Sequence, residues 1–83
     1  MYIKYLDNIH NLSNYSSIVK GGAENNCIHL RKDEHFHSMK FNDEKSRDFI
    51  LAEIWSKIVK KNDYYDIDNI INDYYIANKY NVV

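Results

Sequence analysis

Four residues of the chain have the chemistry of metal ligands. Cys27, His29, His35 and His37 read as C-x-H-x5-H-x-H. Thiolate and imidazole are zinc donors, and a set of four would suit a tetrahedral site. Their placement argues against one. The segment 26–41 reads as a β-hairpin turning at Asp33-Glu34. A two-residue turn sets Leu30 opposite His37 and Ile28 opposite Met39, with Phe41 on the same face. That register collects the apolar residues on one side, and a slip of one residue would scatter them. It also sends Cys27 and His29 to one face and His35 and His37 to the other. The expectation is no metal site and no cofactor. Cys27 and His29 also fail as a nucleophile and base. Side chains at i and i+2 of a strand run parallel, and no third group is placed to orient the imidazole. A structural cysteine is the expected role. Gly21-Gly22 lacks the G-x-x-x-x-G-K-[ST] context of a phosphate loop and reads as a hairpin connection. No acid, base and nucleophile converge, so the chain is expected not to be an enzyme.

The remaining candidates bind rather than react. Residues 62–83 carry Asp63, Asp66, Asp68 and Asp73 against Lys79 alone, a local net charge of -3. The same stretch holds Tyr64, Tyr65, Tyr74, Tyr75 and Tyr80, five of the eight tyrosines. Tyrosine is enriched at protein interfaces, and acidic neighbours steer a basic partner surface. Asp63, Tyr65, Asp68, Asp73 and Tyr75 are therefore the expected partner-binding set, with Asp68, Asp73 and Tyr75 pointing outward. The alternative site is the hairpin face bearing His29, Arg31, Phe36 and Lys40. An exposed aromatic among cations can stack a nucleic-acid base.

These residues need a scaffold. Residues 2–6 mix aromatic and β-branched types and end at a turn signal, Asp7-Asn8. Residues 9–20 continue extended, with a polar, irregular middle at 12–17. Gly21-Gly22-Ala23-Glu24-Asn25-Asn26 is the clearest loop. Asn42 or Asp43 caps a helix over about 43–61, with acidic residues in its first turn and lysines in its last. Leu51, Ile54, Trp55 and Ile58 have the spacing of one buried stripe, which Phe49, Ile50 and Val59 widen. Asn62-Asp63 ends it. Asp66 caps a second helix over about 66–79 with Ile67, Ile70, Ile71 and Tyr74 on one face, and residues 80–83 are expected to fray. The expected fold is α+β: a small antiparallel sheet of three to four strands over 2–41, then two helices packed on one face.

The chain has 83 residues, enough for a single domain over 1–83. A domain of this size buries only about 60% of the surface its unfolded chain exposes, so the core is thin. The net charge of -1 excludes a generic polyanion binder. Asn, Ile, Lys and Tyr make up 39 residues and Pro is absent. Their codons are AT-rich, which fits an AT-rich bacterium or its phages. A lone cysteine, no signal pattern at the N-terminus and no apolar run near the roughly 18 residues of a membrane span lead us to expect a cytoplasmic protein with no membrane partner.

Residues 9–18, the hairpin and residues 49–61 together resemble small bacterial and phage proteins built as three or four strands followed by an amphipathic helix. In length, codon bias and acidic, Tyr-rich end the chain is similar to phage inhibitors of bacterial immunity, the anti-CRISPR class. That class shares no motif, so the resemblance assigns no residue a role. It implies a small non-enzymatic phage or mobile-element protein that binds and inhibits a bacterial protein or ribonucleoprotein complex. A nucleic-acid-binding regulator using the sheet face is the alternative, and a homodimeric structural module a third.

Overall fold

The computed structural model describes residues 1–21 and 26–81, with side chains through residue 78. The expected loop at 21–26 thus falls mostly outside the described residues, as does the end of the expected fraying. The chain forms an α+β fold, and its strands make two three-stranded sheets rather than one.

The first sheet begins with β1 (Tyr2–Tyr5) and β2 (Asn8–Asn11), an antiparallel hairpin. Its turn residues Leu6 and Asp7 have φ of 50° and 61°. Left-handed residues let a two-residue turn follow the twist of its strands, at a steric cost for residues other than glycine. The third strand, β6 (Tyr64–Asp66), lies where the sequence reads only as a helix break. It pairs parallel with β1, Ile3 beside Tyr65, and gives the order β2–β1–β6. Three residues between a break and a cap carry too little pattern to announce a strand.

A 3-10 turn at Leu12–Asn14 interrupts the extended stretch, so β3 (Ser17–Lys20) starts the second sheet. It pairs antiparallel with β4 (Cys27–Lys32), which pairs with β5 (His35–Lys40). The hairpin register is the expected one: Ile28 faces Met39 and Leu30 faces His37. Ile28, Leu30 and Met39 are fully buried, and Phe41 beyond the strand is buried beside them.

Asp43 caps α1 (Glu44–Val59), accepting from the Ser46 N–H while the Ser46 hydroxyl accepts from the Asp43 N–H. Asp66 caps α2 (Ile67–Asn81) by accepting from the Asn69 N–H. The helices do not share one face of one sheet. α1 lies against β4 and α2 against β1, and the helices touch each other. Between the layers Ile3, Tyr5, Ile28, Leu30, Met39, Ile50, Ile54, Tyr65, Ile67 and Ile71 form one core cluster.

The buried side of α1 differs from the expected one. Ser46, Arg47, Ile50 and Ile54 face inward, while Trp55 is 69% and Ile58 40% exposed. Two apolar stripes run side by side on this helix, and periodicity does not tell which one meets the sheet. Arg47 enters the interior with its charge answered, its guanidinium 3.0 Å from Asp48 and 3.4 Å from Glu44. Ile54→Ala should therefore cost about 2–5 kcal/mol of stability, and Trp55→Ala should stay within about 0.5 kcal/mol of wild type. Denaturant melts of the two variants check this. A loss at Trp55 as large as that at Ile54 would mean the helix is rotated.

Candidate functional site

The structure disperses the acidic, tyrosine-bearing set. Tyr65 is buried, in the core cluster with Ile3, Ile67 and Ile71. Its hydroxyl has no hydrogen-bond partner among the described residues, and burial pushes its pKa well up. The Lys57 ammonium sits 5.8 Å from its ring. Asp68 does not point freely outward. Its carboxylate accepts the N–H groups of Leu6 (2.6 Å) and Asp7 (3.0 Å), which stabilises the left-handed turn. Lys4 lies 3.9 Å from Asp66, 3.7 Å from Asp7 and 3.8 Å from Asp68. Asp66 first, and the other two after it, raise the lysine's pKa. Tyr75 is half-buried and turned toward α1. Its hydroxyl accepts the Asn42 N–H at 2.9 Å and lies 3.4 Å from the Ser46 hydroxyl. Only Asp63 and Asp73 of the five are exposed. Asp66 and Asp68 are thus engaged within the fold, by the start of α2, the Leu6–Asp7 turn and Lys4.

The alternative face is assembled as the register requires. His29 and Phe36 stack with ring centroids 4.7 Å apart, and Phe36 is 59% exposed. Arg31 pairs with Phe36 across the strands, and Lys40 pairs with Cys27. Both cations are exposed. Gly21 packs over the end of this face, where an added Cβ would lie 2.9 Å from the Cys27 Cβ and 3.0 Å from the His29 Nε2. Cys27 itself is buried. No group of three or more His, Cys, Asp or Glu among the described residues is arranged to hold a metal ion.

The opposite face of β5 meets β2. The His37 ring meets that of His10 at a tilt of 40°, with centroids 4.4 Å apart, a contact that joins the two sheets. The Tyr15 hydroxyl is 3.4 Å from His10 Nδ1, and His10 Nε2 is buried without a partner among the described residues. Burial, and next the neighbouring His37, hold the His10 pKa below its ordinary value.

A further concave surface lies elsewhere. An open groove of about 880 Å³ runs between β3 and the outward stripe of α1. Leu12, Tyr15, Ile18, Leu51, Trp55 and Ile58 line it, and Lys20 and Asp48 pair at its rim, 3.4 Å apart. That size lies within the range of ligand pockets, and the lining is largely apolar. The signal for it in the sequence is surplus. Phe49, Ile50, Leu51, Ile54, Trp55, Ile58 and Val59 are more apolar residues than one helix face buries.

No protein-family model, no curated protein and no solved structure matches the chain. No helix among the described residues is long and apolar enough to cross a membrane.

The state of His10 sets a pH dependence. A folded-state pKa below the unfolded value near 6.5 means that the unfolded chain takes up the proton first. Stability is complete above that value and falls as the pH drops below it. The melting temperature should be steady above about pH 6.5 and decline as the pH falls below it, and His10→Phe should flatten the decline. An unchanged slope in that variant would show that other groups control it.

Proposed function

We propose that the chain is a non-enzymatic protein-binding module that holds its partner through the groove beside Trp55. One observation carries the reading: Trp55, 69% exposed, stands at an apolar groove of about 880 Å³ on a domain with a thin core. A tryptophan left outside such a core leaves burial energy unused that contact with a partner would recover. Trp is also among the residue types that dominate binding energy at interfaces. Leu51 and Ile58 extend the apolar surface along the helix. Contiguous exposed apolar patches on small proteins mark interaction sites. The resemblance to phage inhibitors suggests the class of partner, a bacterial protein engaged stoichiometrically and thereby blocked. Asp63 and Asp73 remain exposed and serve, in this reading, as outlying charges that affect the rate of encounter.

A second reading draws on the exposed His29–Phe36 stack with Arg31 and Lys40, which is suited to a single-stranded nucleic acid. The two readings separate in one comparison. Tagged wild type, Trp55→Ala, a double Asp63→Asn and Asp73→Asn variant, and Phe36→Ala are used as bait in lysate of a bacterial host. The expected outcome is a protein retained by wild type and lost from Trp55→Ala, with the double aspartate variant and Phe36→Ala holding it. Loss confined to the aspartate variant would return the contact to the acidic surface. A nuclease-sensitive retention lost in Phe36→Ala would favour the nucleic-acid reading.

A further inference from the structure

One wall of the groove is a strand at the edge of a sheet. β3 is the outermost strand of its sheet, in the order β3–β4–β5. The Gly21 N–H donates to the Cys27 carbonyl at 2.8 Å, which fixes which residues of β3 bond inward. In an antiparallel ladder hydrogen-bonded and non-bonded pairs alternate. Gly21, Val19 and Ser17 therefore turn their backbone groups toward β4. Ile18 and Lys20, opposite Leu30 and Ile28, turn theirs to the free edge. No group among the described residues bonds those outward N–H and C=O groups. The same two residues place their side chains at the groove. Backbone donors and acceptors thus stand along one wall, with Leu51, Trp55 and Ile58 overhanging from α1 as the other.

We propose that the groove takes an extended peptide segment of its partner, added as a fourth strand on the free edge of β3. This rests on the reading of the groove as a protein-binding surface and specifies its ligand. A helix laid in the groove satisfies its own backbone and would leave the outward groups of Ile18 and Lys20 to water. An extended segment bonds them and sends alternate side chains toward Trp55, as in other recognition by strand addition. The segment therefore has apolar residues at every second position, and the side chains between them face away from α1. A second copy of this chain is the poorer occupant. Ser16 donates its N–H (2.7 Å) and its hydroxyl (3.1 Å) to the Arg31 carbonyl, which Ser17 also faces, so the start of β3 is bulged. A bulge at one end and a lysine at the other are the devices by which edge strands avoid pairing with their own kind.

The test uses the full chain and a displayed library of random linear peptides. Peptides enriched on wild type are expected to alternate apolar and other residues, to shift the fluorescence of Trp55, the single tryptophan, and to lose at least about thirtyfold in affinity for Trp55→Ala. The strand geometry is read by methylating the peptide's backbone nitrogens one at a time. Methylation at the positions facing β3 should weaken binding by about three- to tenfold, and methylation at the positions between should leave it unchanged. Lys20→Pro gives the same reading from the other side. It removes one outward donor and no ladder bond, which proline at a sheet edge permits. It should weaken the peptides by a similar factor where Lys20→Ala does not. Peptides that need Trp55 but are helical, or indifferent to every methylation, would overturn strand addition and leave the groove reading standing. Failure to enrich any peptide that distinguishes wild type from Trp55→Ala would overturn both. A wild-type dimer in sedimentation that Lys20→Pro dissolves would give the edge to a second copy and overturn the peptide.

Discussion

The parallel pairing of β6 with β1 is the contact on which the architecture depends. β1 is the centre of the first sheet, and one of its two neighbours is supplied from residues 64–66. Until they return, β1 and β2 are a two-stranded hairpin, which in water is marginal at best. The pairing is fastened at its end by Asp68. This residue lies in the first turn of the last helix and holds the backbone of the Leu6–Asp7 turn through two hydrogen bonds. The N–H groups it accepts belong to Leu6 and Asp7, two residues in the left-handed region that L-residues avoid. A single carboxylate bonds two consecutive left-handed residues and ties the first hairpin to the last helix.

That closure explains why the acidic, tyrosine-rich end serves the fold more than its surface. Tyr65 fills the space between β1 and the helices. Tyr75 bonds the backbone at the entry of α1, and Tyr74 stacks on Phe49 with centroids 4.7 Å apart. Tyr5, in β1, donates its hydroxyl to the Lys40 carbonyl at the end of β5, and burial pushes its pKa up to about 12. Tyrosines here provide bulk for a thin core and a polar tip that reaches backbone at its margin. With Tyr5, Phe41 and Tyr65 turned inward, the stripe of α1 that bears Trp55 is left outside the core.

Much of this was legible in the residues. The β4–β5 register followed from where Ile28, Leu30, Met39 and Phe41 must lie, and it separated the two halves of the Cys/His cluster. The cap at Asp66, and one at Asn42 or Asp43, followed from side chains that accept backbone N–H groups, and the structure uses Asp43. The limits were physical. β6 is three residues long and its partner is 62 residues away, Tyr2 for Tyr64, so neither period nor propensity marks it. The inward face of α1 was ambiguous because both of its stripes are apolar, and packing against β4 chose Ile50 and Ile54. The aspartates near the end of the chain looked like surface charge because their partners, the Leu6–Asp7 turn and Lys4, are far off in sequence. The groove was visible only as a surplus of apolar residues with no address.

The late position of β6 also has a consequence for how the protein is made. Synthesis runs from the N-terminus, and β1 leaves the ribosome first. The strand that completes its sheet and the carboxylate that secures its turn emerge only after residue 68. The β3–β4–β5 meander, whose pairings are local, is complete by residue 40 and is free to form earlier. A chain halted before α2 would hold that meander together with an unfinished hairpin whose edge is open to other nascent chains. In the order of synthesis, completion of the first sheet therefore follows completion of the second.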